Sequence, residues 1–413
     1  MEPATPAPQG PMSQPGFLRF WSSGTLTFFG LSVTTIAVDA LIINVLEASE
    51  AQVGIIRAAQ FLPYLLVGLV AGALIDRWRR KPVLVWSTLG TGMALGLVPL
   101  MWWLGHLSLP GVGAALFIAG TFGVFTAAAQ QATLPRLVSR NQLVSANARI
   151  GQAMTVAQTS GPPLGGAATS FLGAPLSIAG GAAAYLASAL VYACVPIAEP
   201  QKDARAAKPR LWTDIRDGMR FLYRHRTLRP LALSTHTWFL ANSAAVTVFA
   251  LFALRHLDLP ALLYGATLAI AGLAALGGAL IAPFFGRKFG EGNTVIGARL
   301  TYPAAWALVL LAPDNQVWGL TILCLAQALY GFCMGFEDPN EMGYCQAATP
   351  AHLLGRMHAT MRAANRTMAV LGALLGGALA GLVGYYWTLS VIVGVFTLAG
   401  LIAALSPLRG SRS

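Results

Sequence analysis

Apolar stretches long enough to cross about 30 Å of hydrocarbon recur twelve times along the chain. They lie near 24–46, 53–75, 82–104, 111–134, 143–171, 175–197, 230–254, 261–285, 293–312, 320–348, 359–383 and 386–406. One long polar stretch interrupts them, at about 198–229. Its first part, Gln201 to Arg210, is a charged linker. In its second part Leu211, Ile215, Met219 and Leu222 recur at helical spacing, while Arg216, Arg220 and Arg224 take other faces. That pattern predicts a helix lying along a membrane surface. The expected architecture is an all-α integral membrane protein. It has a disordered tail (1–16), a six-helix bundle (17–197), a linker with an amphipathic helix (198–229), a second six-helix bundle (230–407) and a short tail (408–413).

The two halves echo each other. Gly72-Ala-Leu-Ile-Asp76 is matched by Gly278-Ala-Leu-Ile-Ala282, and Gln131-Ala-Thr-Leu-Pro135 by Gln346-Ala-Ala-Thr-Pro350. Gly161-Pro-Pro-Leu-Gly-Gly166 is matched by Gly372-Ala-Leu-Leu-Gly-Gly377. Three pairs in the same order, 206 to 215 residues apart, predict pseudo-symmetric parallel bundles with substrate held near the midplane between them.

Composition agrees with lipid as the main solvent. Charged residues make up 10% of the chain and hydrophobic ones 56%, against roughly a quarter charged in a soluble protein. The net charge of +12 would suggest nucleic acid in a soluble chain. Here, with the N-terminus placed inside, only Arg57 and Arg255 among the Lys and Arg residues fall toward the outer side. The charge is therefore a topology signal that puts both termini in the cytoplasm, and no nucleic-acid partner is expected. Cys194, Cys324, Cys333 and Cys345 lie in apolar runs without CxxC spacing, so neither disulfides nor a metal site is implied. No cofactor is expected. The absence of GxxxxGK[ST] argues against a pump driven by its own ATP hydrolysis. The absence of HExxH, GxSxG and Gly-x-Gly-Asp patterns argues against a membrane enzyme.

Four acids, Asp39, Glu337, Asp338 and Glu341, fall inside expected spans. A charge at the bilayer centre costs about 3 kcal/mol on insertion scales, so such groups face a cavity, pair or bind protons. Glu337 and Glu341 are one helical turn apart and share a face, whereas Asp338 points elsewhere and Pro339 bends the span between them. Aligning Pro350 with Pro135 puts Glu337 opposite Phe122, near mid-membrane. Two acids sharing an apolar site suit reversible protonation. The other reading is structural pairing with Arg362, Arg366 or another inner cation. Asp39 and Arg57 lie at similar depth in the outer half. They form either a proton site or cation anchor tuned by Arg57, or a static ion pair. His236, Asn242 and Gln327 could bond substrate or only neighbouring helices. Trp238, Trp306, Phe252, Tyr330 and Phe336 could line an apolar cavity or face lipid and other helices.

The run Gly72-Ala-Leu-Ile-Asp76-Arg77-Trp78-Arg79-Arg80-Lys81 resembles the signature between spans two and three of the major facilitator superfamily. Ala157-Gln-Thr-Ser-Gly161-Pro162-Pro-Leu-Gly165-Gly166 is similar to the span-five signature of that superfamily's antiporters, with Ala157 where Gly is usual. Trp212, Asp214, Gly218, Arg220-Phe221-Leu222 and Arg224-His225 resemble the central-loop helix of one branch, as do Leu134-Pro135-Arg136-Leu137-Val138 and Ala146-Asn147-Ala148. That branch holds bacterial exporters resembling macrolide efflux proteins and the enterobactin exporter. The resemblance covers residues 17–406. It implies that Gly72, Asp76 and Arg77 gate the inner side, and that Gly161, Pro162, Gly165 and Gly166 make a kinked fifth span sealing the outer side. It further implies a monomeric secondary exporter in the bacterial inner membrane, whose partners are the lipid bilayer, a small, partly hydrophobic substrate and protons. A narrow siderophore or metabolite exporter is the alternative, and a non-transporting receptor the remaining class.

Overall fold

The computed structural model describes residues 11–75, 78–197, 211–350 and 353–409. The first bundle consists of α1 (Pro15–Ala40), α2 (Glu50–Ile75), α3 (Arg80–Trp103), α4 (Leu109–Leu137), α5 (Leu143–Leu172) and α6 (Ala174–Ala193). A shorter α7 (Leu211–Arg224) follows. The second bundle consists of α8 (Leu228–Leu251), α9 (Ala261–Phe289), α10 (Glu291–Leu310), α11 (Gln316–Ala347), α12 (Leu354–Val383) and α13 (Tyr385–Ala404). Helix is the form expected in lipid, because it satisfies every backbone donor and acceptor internally. Ten helices are long and apolar enough to span a membrane. The other two long ones, α5 and α10, complete the bundles. The amphipathic α7 rests on α8 and α12, and Asp217 pairs there with Arg356 at 3.0 Å.

Local chemistry sets the helix ends. Ser108 caps α4 by accepting from the Gly111 amide at 3.3 Å, and Asn315 caps α11 by accepting from the Val317 and Trp318 amides. Gly173 and Gly384, at φ of 85° and 82°, turn α5 into α6 and α12 into α13 within a single residue. A side chain would strain that backbone conformation.

The internal repeat is regular at 211 residues. π-helical turns end α1 at Leu41–Val45 and α8 at Phe252–His256. Glu47 and Asp258, at φ of 48° and 49°, follow them. Ser23 donates to the Ser188 carbonyl at 2.9 Å, and Ser234 to the Ala399 carbonyl at 2.7 Å. Gly120 packs on the Gln60 carbonyl and Gly331 on the Ala271 carbonyl. This register sets Glu337 opposite Thr126, and corrects the pairing with Phe122. The cause is that Pro135 lies inside α4, whereas Pro350 lies beyond the end of α11. The two prolines are not structural equivalents.

An even number of spans puts both chain ends on one face, here called basal; the opposite face is apical. The bundles meet along two seams, α2 with α12 and α5 with α9. Toward the apical end these seams are tight. Gly54 packs on Ala373 and Gly377, and Gly265 on Pro162. The α12 and α5 residues are members of the matched glycine motifs or their immediate neighbours.

Candidate functional site

A cavity of about 750 Å³ lies within the second bundle, between α8, α10, α11 and α12. Its polar centre is built on Arg299, the ninth residue of α10, which is only 2% exposed. The Arg299 Nε donates to Glu337. Nη2 donates to Glu341 at 2.8 Å and to the Thr235 hydroxyl at 3.1 Å. Thr235 in turn donates to Glu341 at 2.7 Å, and the guanidinium lies over the Trp238 ring. Glu337 and Glu341 reach the same cation because they sit one turn apart on α11. The second carboxylate oxygen of Glu337 is buried without a hydrogen-bond partner.

Asp338 faces away from this network. It is exposed to the cavity and has no ion-pair partner among the described residues. The wall around it is largely apolar, with Trp238, Phe239, Tyr302, Met334 and Met361. Asn242 also lines the cavity and accepts from the Tyr330 hydroxyl at 2.6 Å. A second cavity of about 530 Å³ occupies the corresponding part of the first bundle. Its described lining carries no charged side chain, and Gln130 there donates to the Tyr192 hydroxyl at 2.7 Å.

The remaining expected residues are distributed elsewhere. Asp39 and Arg57 pair at 2.7 Å and line neither cavity. Asp39 also accepts from Tyr264 of the other bundle at 3.0 Å. His236 is held between Tyr223 at 2.9 Å and Asn365 at 2.6 Å, outside the cavity lining. Gln327 is buried on α11, also outside it. Trp306 is buried and stacked on Phe396, Phe252 is buried, and Phe336 packs edge-on against Phe285. Gly161 packs on Ser32 and Gly165 on Val33 of α1, while Gly166 packs on Ala261 of α9. Gly72 lies near the basal end of α2. Asp76 and Arg77 lie outside the described residues.

The partner of Glu337 and Glu341 is thus Arg299, not Arg362 or Arg366. Sequence reasoning groups Arg299 with the cations near the inner surface. The signal it passes over is depth. Eight residues of helix carry Arg299 about 12 Å into its span, far enough to meet a buried acid. Also unforeseen is the apical tie, in which Arg255 donates to Glu50 at 3.1 Å and to the Ile43 and Ala48 carbonyls. Tyr385 donates to the same Glu50 at 2.9 Å.

The sequence profile described as Major Facilitator Superfamily matches residues 20–368. The chain belongs to that superfamily. The Multidrug efflux pump Tap of Mycobacterium tuberculosis (strain ATCC 25618 / H37Rv) is 27% identical over 406 residues, covering 95% of this chain and 93% of that protein. The uncharacterized MFS-type transporter YfiS of Bacillus subtilis (strain 168) is 24% identical over 412 residues, covering 94% of each. Among solved structures, the nucleoside transporter NupG superposes with a TM-score of 0.76 at 12% identity, covering 95% of this chain and 98% of that one. A bacterial homologue of the iron transporter ferroportin, in an inward-facing state, gives 0.77 at 14% identity, covering 94% and 98%. This transporter therefore has the superfamily fold of two pseudo-symmetric six-helix bundles, with relatives that are multidrug efflux pumps. In this conformation the superfamily member is joined apically, and its cavity residues lie toward the basal ends of α11 and α12.

Proposed function

We propose that this superfamily member is a secondary exporter, placed in the bacterial plasma membrane with its basal face in the cytoplasm. It takes up a small, partly hydrophobic organic compound from that side and returns protons in exchange. The observation that carries this reading is the pairing of two kinds of acid around one cavity. Asp338, a carboxylate without an ion-pair partner among the described residues, sits in a largely apolar wall, suited to holding a cationic group of the substrate. Behind it, Glu337 and Glu341 share one buried cation, Arg299. Protonating Glu337 would release its hold on Arg299 and change which arrangement of α10 and α11 is preferred. Differential binding of that kind is what shifts a two-state transporter. The 27% identity to an efflux pump along nearly the whole chain supports the export direction.

The test is efflux of ethidium from proteoliposomes across an imposed pH gradient, with wild type beside E337Q and D338N. Wild type is expected to show net dye efflux only with a gradient, and dye–dye exchange without one. E337Q is expected to lose gradient-driven flux but keep dye–dye exchange, and D338N to require more dye for half-maximal rate. Undiminished gradient-driven flux in E337Q would move the proton site elsewhere. No dye flux in wild type would favour the narrow siderophore or metabolite exporter.

A further inference from the structure

A guanidinium without a counter-ion among the described residues stands at the seam between the bundles. Arg366 is the thirteenth residue of the thirty-residue α12, close to the middle of its span. It lies over the Tyr64 ring at 4.8 Å and the Phe61 ring at 5.7 Å, both on α2 of the other bundle and near the middle of that helix too. Arg57, Arg255 and Arg299 each have a carboxylate. Arg366 has none among the described residues. One turn basal on the same face, Arg362 lines the cavity and also has none among them. One turn further, His358 lines it as well. Two guanidinium groups and an imidazole thus follow one another along one face of α12.

A charge at this depth is costly, and such residues face the bundle interior or a water-filled cavity, pair with other groups, or mark a substrate pathway. Two aromatic rings hold the cation in place but bring no negative charge. A guanidinium resting on a ring keeps its in-plane N–H donors for an acceptor, and their fork matches a carboxylate. We infer that Arg366, with Arg362 one turn basal of it on the cavity wall, receives an anionic group of the transported compound, of carboxylate type. With Asp338 taking a cationic group on the cavity that Arg362 lines, the preferred substrate is amphoteric, an apolar body carrying one group of each sign. The inference rests on the exporter reading in one respect, that the basal opening is the substrate's route.

The test uses norfloxacin, which carries a carboxylate and an ammonium group at neutral pH, beside its ethyl ester, which keeps only the cation. Binding of each to the purified full chain is measured for wild type, R366Q, R366K and R362Q. Wild type is expected to bind the acid about tenfold tighter than the ester, the scale of one charge-assisted hydrogen-bonded contact. R366Q is expected to bind the two alike, R362Q to lose part of the preference, and R366K to keep part of it. A role confined to clamping α12 on α2 would weaken acid and ester together. That result, an ester bound as well as the acid by wild type, or no norfloxacin binding at all, overturns the inference. If R366Q fails to fold, the wild-type ranking and R366K decide. Ethidium has no acid group, so the two readings separate. Acid preference without gradient-driven ethidium flux supports the anion site and counts against the exporter. Gradient-driven flux without acid preference does the reverse.

Discussion

Arg255 donates to Glu50 at 3.1 Å across the apical seam, tying the end of α8 in one bundle to the start of α2 in the other. Both side chains are about a quarter exposed, and such pairs are worth only about 0.2–1 kcal/mol. Arg255 also donates to two carbonyls of the first bundle, so it holds more than the carboxylate. Removing Glu50's charge should therefore matter less than removing Arg255. E50Q is expected to shift the population of apically closed molecules a few-fold at most, and R255A further. Spin labels at His106 and Leu311, exposed apical sites on opposite bundles, would report this as a longer distance. Unchanged distances in R255A would mean that the tie contributes nothing.

The apical seams close through glycine. A methyl at Gly54 would meet the Ala373 carbonyl at 2.6 Å. One at Gly265 would run into the Pro162 carbonyl. Backbone cannot yield as a flexible side chain does. G54A and G265A are expected to fold and insert, favour the apically open arrangement, and lose most transport. G123A, whose added methyl meets nothing within 4 Å, should be neutral or slightly stabilising, because Ala favours helix over Gly by roughly 0.5–1 kcal/mol. Flux through reconstituted variants checks this. Wild-type rates in G265A would rule out the glycine contact as a closure requirement.

The twelve spans and the repeat are legible in the sequence because lipid imposes them. Hydropathy marks the spans, and small residues recur wherever two helices approach closely. The shared face of Glu337 and Glu341 is legible for a similar reason, since one helix holds both. The role of Arg299 is not, because it depends on α10 packing against α11. Nor is that of Tyr264, which reaches Asp39 from 225 residues away. The sequence pattern offers Arg366 only as a counter-ion for the acids. Its position over Phe61 and Tyr64 depends on how two separate bundles meet. The shift from Phe122 to Thr126 has the same origin, because an alignment through two prolines cannot show that only one of them lies within a helix.

Arg299 holds two carboxylates from within the second bundle. It is buried to the same degree as Glu337 and also holds Glu341. Removing one member of a buried ion pair costs about 3–5 kcal/mol, because the partner is left as an uncompensated charge. R299Q is therefore expected to lower the melting temperature by more than E337Q. The double variant R299M/E337Q should recover part of the loss, since it removes charges of both signs. Thermal unfolding in one detergent orders the three. A double variant less stable than R299Q would show that the pair is not the dominant interaction at this site.

Asp39 joins two interactions of different reach. Its ion pair with Arg57 lies within the first bundle, at 2.7 Å, while the bond from Tyr264 crosses to the second. Y264F removes only the crossing bond and leaves the charges paired. It should cost the apically closed state about 1 kcal/mol without altering how flux depends on pH. D39N also removes the carboxylate that Arg57 faces, so it should be less stable than Y264F and slower in transport. Asp39 is closed off from both cavities and already matched by a cation. D39N is therefore expected to keep the wild-type pH profile at reduced amplitude. Flux from proteoliposomes at several imposed gradients decides the matter. A flat profile in D39N, with the wild-type profile retained in E337Q, would transfer the proton site from the Arg299 network to Asp39.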